Sequence, residues 1–136
     1  MKFRRKFNTF RGGRLVAIGL SAAFLAACGH PVQKKLEGRW VGESVENFDD
    51  REMALATGWA RGTSFEFSGA TVTVAVPAEE PRSGAYKVVQ AHNNDVYVAV
   101  ARPDGKSDRV HFRLDDEHSI RWMLGESRSI VLRREN

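Results

Sequence analysis

Four imidazoles, one thiol and two groups of carboxylates are the side chains through which this chain could do chemistry: His30, His92, His111 and His118; Cys28; Glu79-Glu80; and Asp115-Asp116-Glu117-His118. Metal capture by histidine needs ligands brought onto one face at short spacing, as in H-E-x-x-H, and no pair of these four has it. Two carboxylates acting as acid and base need a fixed separation. Glu79 and Glu80 are chain neighbours beside Pro81, in a loop that imposes none. The run Asp115–His118 lies between two alternating apolar segments and reads as a solvated turn, with weak cation binding as the lesser alternative. There is no G-x-S-x-G nucleophile elbow and no glycine-rich phosphate loop. An enzyme reading therefore has no constellation behind it. The expectation is a non-catalytic protein without metal or cofactor.

The thiol has another use. Cys28 is the only cysteine, so no disulfide can form within the chain. A free thiol is a liability in an oxidising compartment. Before it come Lys2, Arg4, Arg5, Lys6, Arg11 and Arg14 with no acid, then the apolar run LVAIGLSAAFLAA. A positive head, a short apolar middle and small residues at the end make a secretory signal. The run is too short to span a bilayer as a helix. Leu25-Ala26-Ala27-Cys28 resembles the bacterial lipobox, L-x-A/G-C. That resemblance implies a diacylglyceryl thioether on Cys28, cleavage before it, and two or three acyl chains in all, enough for stable anchoring. Residues 1–27 are then a lipoprotein signal peptide, 28–35 a lipidated polar tether and 36–136 the domain. The same resemblance implies, with Gly29 rather than Asp after the cysteine, a cell-envelope location at the outer membrane where the cell has one, facing the periplasm or the surface. Arg4-Arg5-Lys6-Phe7 also resembles the twin-arginine export motif, so either that route or a generic positive head serves export.

Cleavage changes the charge. Six of the 21 Lys and Arg and none of the 17 Asp and Glu precede Cys28, so the formal balance moves from +4 to −2. The basic character belongs to the signal and is no argument for nucleic acid binding.

After the tether, alternation of apolar and polar residues dominates. It predicts strands near 38–45, 63–68, 70–76, 83–90, 95–102, 108–114, 119–124 and 128–134, joined by turns at Ser68-Gly69, Glu79–Pro81, Asn93-Asn94, Pro103–Gly105 and Gly125–Ser127. The exception is 47–59, where Phe48, Glu52, Leu55 and Trp59 fall at helical spacing beside Met53 and Ala56. A helix there, capped by Asp49 or Asp50 and ended by Gly58, would cover a barrel end; a bulged strand is the alternative. Short strands with hairpin connections predict an all-β fold: a small antiparallel up-and-down barrel of eight strands, with one short helix between strands 1 and 2. Closure removes exposed edges.

Register follows from matching apolar residues across hairpins, where opposed residues share a face. One choice puts Val76, Tyr86, Val98, Phe112, Trp122 and Leu132 in an inner row. Val74, Val88, Val96, Leu114 and Ile120 form the next, with Arg134 at its end. Ala78, Gly84, Val100, Val110, Leu124 and Ile130 form a third. With Trp40, Phe65 and Phe67, these side chains fill a barrel this small, leaving a dry core or a small apolar pocket.

Gly38-Arg39-Trp40 resembles the G-x-W signature on the first strand of lipocalin-like barrels, and the helical insertion resembles the lid of the intracellular lipid-binding branch. The resemblance implies an arginine near the end of the last strand packed across Trp40; Arg134 is the expected one. It also implies a binding module, here for an apolar small molecule or an anionic envelope component. The second suits an outer row of Lys87, Tyr97, Arg113, Arg121 and Arg133, which the same register lines up across five strands, beside a row holding Asp95, Asp115, Ser119 and Glu135 that would neutralise it. Opposed like charges are destabilising, so such a row would exist for a ligand. The alternative is inhibition of an envelope hydrolase. Ser83-Gly84-Ala85-Tyr86 resembles the S-G-x-x-Y loop of lipoprotein lysozyme inhibitors, and small bacterial protease inhibitors share the barrel and its motif.

Overall fold

The computed structural model describes residues 30–135. Its elements are α1 (Val32–Leu36), β1 (Gly38–Glu46), α2 (Asp50–Arg61), β2 (Ser64–Ser68), β3 (Thr71–Ala75), β4 (Arg82–His92), β5 (Asp95–Ala101), β6 (Ser107–Leu114), β7 (Ser119–Gly125) and β8 (Arg128–Glu135). Each strand pairs antiparallel with the next, and β8 returns to β1, closing a barrel of eight strands. The fold is thus all-β with one short helix between β1 and β2. Because direction alternates, one end gathers α1, the turns at 69–70, 93–94 and 115–118 and the end of β8. The other gathers α2, 76–81, 102–106 and 126–127.

Inner and outer faces follow the alternation, but most hairpins slide along it. Only β6 and β7 pair in the expected register, with Phe112 opposite Trp122 and Leu114 opposite Ile120. Tyr86 pairs with Val100 rather than Val98, Val98 with Val110 rather than Phe112, and Trp122 with Ile130 rather than Leu132. Arg134 stands opposite Trp40, not Ile120. On β3 and β4 the slide is larger: Val72 faces Gly84 and Val74 faces Arg82, while Val76 and Ala78 lie beyond the strand. The physical cause lies in the turns and bulges. Two-residue turns fix His92 opposite Asp95 and Gly125 opposite Arg128, with positive φ at Asn93, Glu126 and Ser127. The register then shifts by one residue at Val89, at Leu124 and, on β1, at Glu43. Leu124 consequently leaves the inner row and is 40 % exposed.

The interior is solid. Trp40, Phe67, Val96, Val98, Phe112, Ile120 and Leu132 are each 0–1 % exposed. Phe112 meets Phe65 and Phe67 edge-on at 5.1 and 5.9 Å, and Tyr86 meets Phe67 at 5.1 Å. Burial pushes the Tyr86 hydroxyl up to about 12, with the Glu37 charge adding to it. Among the described residues the hydroxyl meets no hydrogen-bond partner; the Gln33 amide donates to the Gly69 carbonyl instead.

Two segments differ from expectation. Residues 32–35 of the polar tether, for which no helix was expected, form α1 together with Leu36, which is wholly buried. Helix α2 does not stop at Gly58 but runs to Arg61, with Gly62 at its C-cap. An exposed mid-helix glycine costs only about 1 kcal/mol. Against this, Ala60 is fully buried, the Thr63 amide donates to the Ala60 carbonyl at 2.9 Å, and the Thr63 hydroxyl donates to that of Trp59 at 3.0 Å. Asp49 is the N-cap by position, although its side chain makes no capping bond. The face turned inward centres on Met53, Ala56 and Ala60, leaving Leu55 81 % exposed. Gly42 decides this. A Cβ on it would lie 1.9 Å from the Ala60 carbonyl oxygen, so a bare strand backbone is what admits the helix.

Candidate functional site

The expected cationic row is dispersed. Arg113 does face Arg121, but Lys87 faces Ala99, Tyr97 faces Gln90 and His111, and Arg133 faces Ser119 and Val41. Three of the arginines are matched by carboxylates. Asp95, directly opposite Arg113, accepts from its Nε at 3.1 Å and lies 2.8 Å from His111 Nε2. Asp115 takes two donors of Arg121 at 2.7 and 3.0 Å, and Glu46 a third at 3.3 Å. Glu43, the bulge residue, grips Arg133 at 2.9 and 3.0 Å. The geometry is a ladder of pairs that cancel charge across the outer wall.

Lys87 has no carboxylate within ion-pair distance among the described residues, and neither does Arg109. Arg109 donates to Gln90 at 2.8 Å and lies 4.9 Å over the Tyr97 ring, which also stacks with His111 at 4.3 Å. Both cations border Ala99, so Lys87, Arg109 and Tyr97 form a small patch separate from the neutralised ladder.

The His111 hydrogen bond and then the Arg113 guanidinium hold Asp95 below its usual carboxylate range. A depressed carboxylate stabilises the fold above its unfolded pKa, about 3.9, and that contribution disappears as pH falls through the lower folded value. Asp95→Asn should therefore lose less stability than wild type between pH 7 and pH 3. Urea midpoints at the two pH values check this; equal losses in both proteins would show that the pair contributes nothing.

At the α1 end, Gly38, Trp40 and Arg134 form one assembly. The Arg134 guanidinium carbon lies 4.2 Å over the Trp40 ring. Its nitrogens donate to the carbonyls of Glu117 at 2.8 Å, Lys35 at 3.0 Å and Glu37. Trp40 Nε1 donates to the Leu36 carbonyl at 2.9 Å. Gly38 has φ +115°, and a Cβ there would stand 2.7 Å from Arg134 Nη1. Glycine both permits the backbone turn and clears the guanidinium's path. Beside it is a recess of about 420 Å³ walled by Lys35, Asp115, Asp116, Glu117 and Arg134, a polar and charged rim over Leu114 and Ile120.

The opposite end is apolar. A cleft of about 340 Å³ opens between α2 and the β7–β8 hairpin, lined by Val45, Phe48, Leu55, Trp59, Leu124 and Ile130, with Glu52 and Arg128 at its polar margin. Trp59 sits 6.2 Å from Trp122, which packs edge-on against Phe65 at 5.1 Å, so this wall connects to the core. Helical spacing had marked Phe48, Leu55 and Trp59, but as a covered face. Arg128 carried no signal beyond its place at the start of the last strand.

Ser83–Tyr86 is not a projecting loop. Ser83 pairs with Thr73 inside β4, Gly84 lies close against the Ala101 carbonyl, and Tyr86 is 5 % exposed. Cys28, the expected lipidation site, lies outside the described residues. Among those described, no histidine, cysteine or carboxylate cluster could hold a metal ion, and no helix is long and apolar enough to cross a membrane.

No family model matches the chain, and no curated protein does. Among solved structures it is similar to a lipocalin-like protein from Bacteroides uniformis, at 11 % identity and a TM-score of 0.44, over 74 % of this chain and 99 % of that one.

Proposed function

We propose that this chain is a lipid-anchored envelope lipoprotein whose barrel binds an apolar small molecule in the cleft beside α2. The observation that carries the reading is the contrast between a solid interior and an open apolar cleft. Leu55 at 81 %, Leu124 at 40 % and Trp59 at 39 % exposure converge on one opening, where scattered single apolar residues would need no explanation. Its size is at the lower end of small-molecule sites, roughly 300–1,000 Å³. Support for the anchor is the lipobox resemblance at Cys28 and the preceding signal.

The chain from Gly29 onward, whose core is contained in the closed barrel, is the protein to titrate. With n-decanol as a neutral probe, Trp59 emission should change saturably. Leu55→Glu should weaken binding by at least about tenfold, roughly 1.4 kcal/mol, without altering the unfolding midpoint, since Leu55 supports nothing beneath it. No saturable binding by the wild type would refute the cleft.

A second reading, an anionic envelope component held on the outer wall, is favoured by Lys87 and Arg109, which have no carboxylate partner among the described residues, beside Tyr97. Arg113, Arg121 and Arg133 would contribute only by leaving their carboxylates.

A further inference from the structure

We infer that the outer wall takes a phosphate monoester between Lys87 and Arg109; this rests on the reading of that wall as the holder of an anionic component. The strands turn five arginines outward: Arg39, Arg109, Arg113, Arg121 and Arg133. Four of them meet a carboxylate, at distances between 2.7 and 3.1 Å. Among the described residues Arg109 is the exception. Where the others have a carboxylate it has Gln90, whose Oε1 accepts from Arg109 Nη2 at 2.8 Å. Its guanidinium lies 4.9 Å over the Tyr97 ring, which stacks with His111 at 4.3 Å. An amide is as large as a carboxylate and holds the guanidinium by the same kind of bond, but carries no charge. Arg109 is therefore positioned while its charge stays uncompensated.

The bulge at Val89 builds this arrangement. Strict alternation from Val88 would point Gln90 into the barrel; the extra residue turns it outward, opposite Tyr97 and on the same face as Lys87. Lys87 and Arg109 border Ala99 from either side, and both are exposed. Ala99 places only a methyl group between them, so both side chains can close on one ligand. Asp95, the carboxylate on the middle strand, is already held by His111 and Arg113. What faces the ligand is donors alone: the Lys87 ammonium, the Arg109 N–H groups beyond the one on Gln90, and the Gln90 amide nitrogen. Two positive charges and no acceptor match a group that is all acceptor and doubly charged. A phosphate monoester above its second pKa, about 6, has three terminal oxygens and nearly two charges. A carboxylate or a phosphodiester brings one charge. The group can come from a soluble sugar phosphate or from a phosphorylated lipid.

The chain from Gly29 onward, titrated at about pH 8 and constant ionic strength and followed by amide chemical shifts, tests this. The wild type should bind glucose 1-phosphate about fivefold more tightly than galacturonate, a singly charged sugar acid, with the shifts centred on β4–β6. Arg109→Gln and Lys87→Gln should each weaken glucose 1-phosphate about fivefold, and Arg39→Gln, which removes the same charge from β1, less than about twofold. Gln90→Glu should abolish binding and hold or raise the unfolding midpoint, because it completes the ion pair that the other four arginines already make. Unchanged affinity in Gln90→Glu, or equal losses in Arg39→Gln and Arg109→Gln, would overturn the site. Phosphatidylcholine vesicles with and without phosphatidic acid form the second arm. Capture that needs phosphatidic acid and is lost in Gln90→Glu assigns the group to a lipid; glucose 1-phosphate binding without capture assigns it to a soluble ligand. Galacturonate bound as tightly as glucose 1-phosphate would overturn the phosphate assignment and leave an anionic component on the wall. Binding of no probe would overturn both.

Discussion

Trp40→Ala should lower the unfolding free energy by about 3–5 kcal/mol, the cost of emptying a buried aromatic site. The ring is 0 % exposed, and its loss removes more than packing. The Leu36 carbonyl loses the indole donor, and the Arg134 guanidinium loses the surface beneath it. Arg134→Ala should also destabilise, because the Lys35, Glu37 and Glu117 carbonyls lose their donors together. The two effects should not add. Arg134 holds α1 and the 115–118 turn against a ring that itself holds α1, so a double-mutant cycle should show coupling of about 1 kcal/mol or more. Additivity within about 0.5 kcal/mol would mean that the guanidinium merely lies near the ring. Arg134→Lys should not rescue the single loss, since a lysine cannot reach three carbonyls with a planar fork.

Cys28→Ser should release the protein from the membrane entirely. Wild type should partition into the detergent phase and the variant into the aqueous phase, with the barrel's unfolding midpoint unchanged in both. The reason is chemical: serine cannot form the thioether, and no second cysteine exists to substitute. Stable anchoring needs two or more acyl signals, and all of them depend on this residue. Detergent partitioning of Cys28→Ser equal to wild type would dismiss the lipobox reading. The binding tests on the chain from Gly29 onward do not depend on this outcome.

The sequence by itself determined the eight strands, their turns and most of the residues that face inward. Alternation has a period of two and needs no partner to be read, and Asn93-Asn94 or Gly125–Ser127 announce turns by their tolerance of positive φ. A slide of two residues leaves faces unchanged, so the inner set survived where Tyr86, Val98 and Trp122 found different neighbours, and failed only at Leu124, displaced by a bulge, and at Val76 and Ala78, beyond the end of β3. The slide was not legible, because the bulges at Glu43, Val89 and Leu124 leave no compositional mark. Yet register decided the outer wall: the bulge at Glu43 lets its carboxylate reach Arg133, and the continuous β5–β6 pairing, set by the 102–106 loop, puts Asp95 opposite an Arg113 that still faces Arg121. The cleft was likewise a tertiary result. Helical spacing identified α2 and its apolar residues, but a helix with apolar groups on more than one side does not say which side docks. The bare backbone at Gly42 admitted Ala60, and that contact rotated Leu55 into the open and left Trp59 at the rim. Arg128 and Arg134 are the same residue type on the same row. Only the closed barrel, which brings three carbonyls to one and a single exposed carboxylate to the other, makes them different.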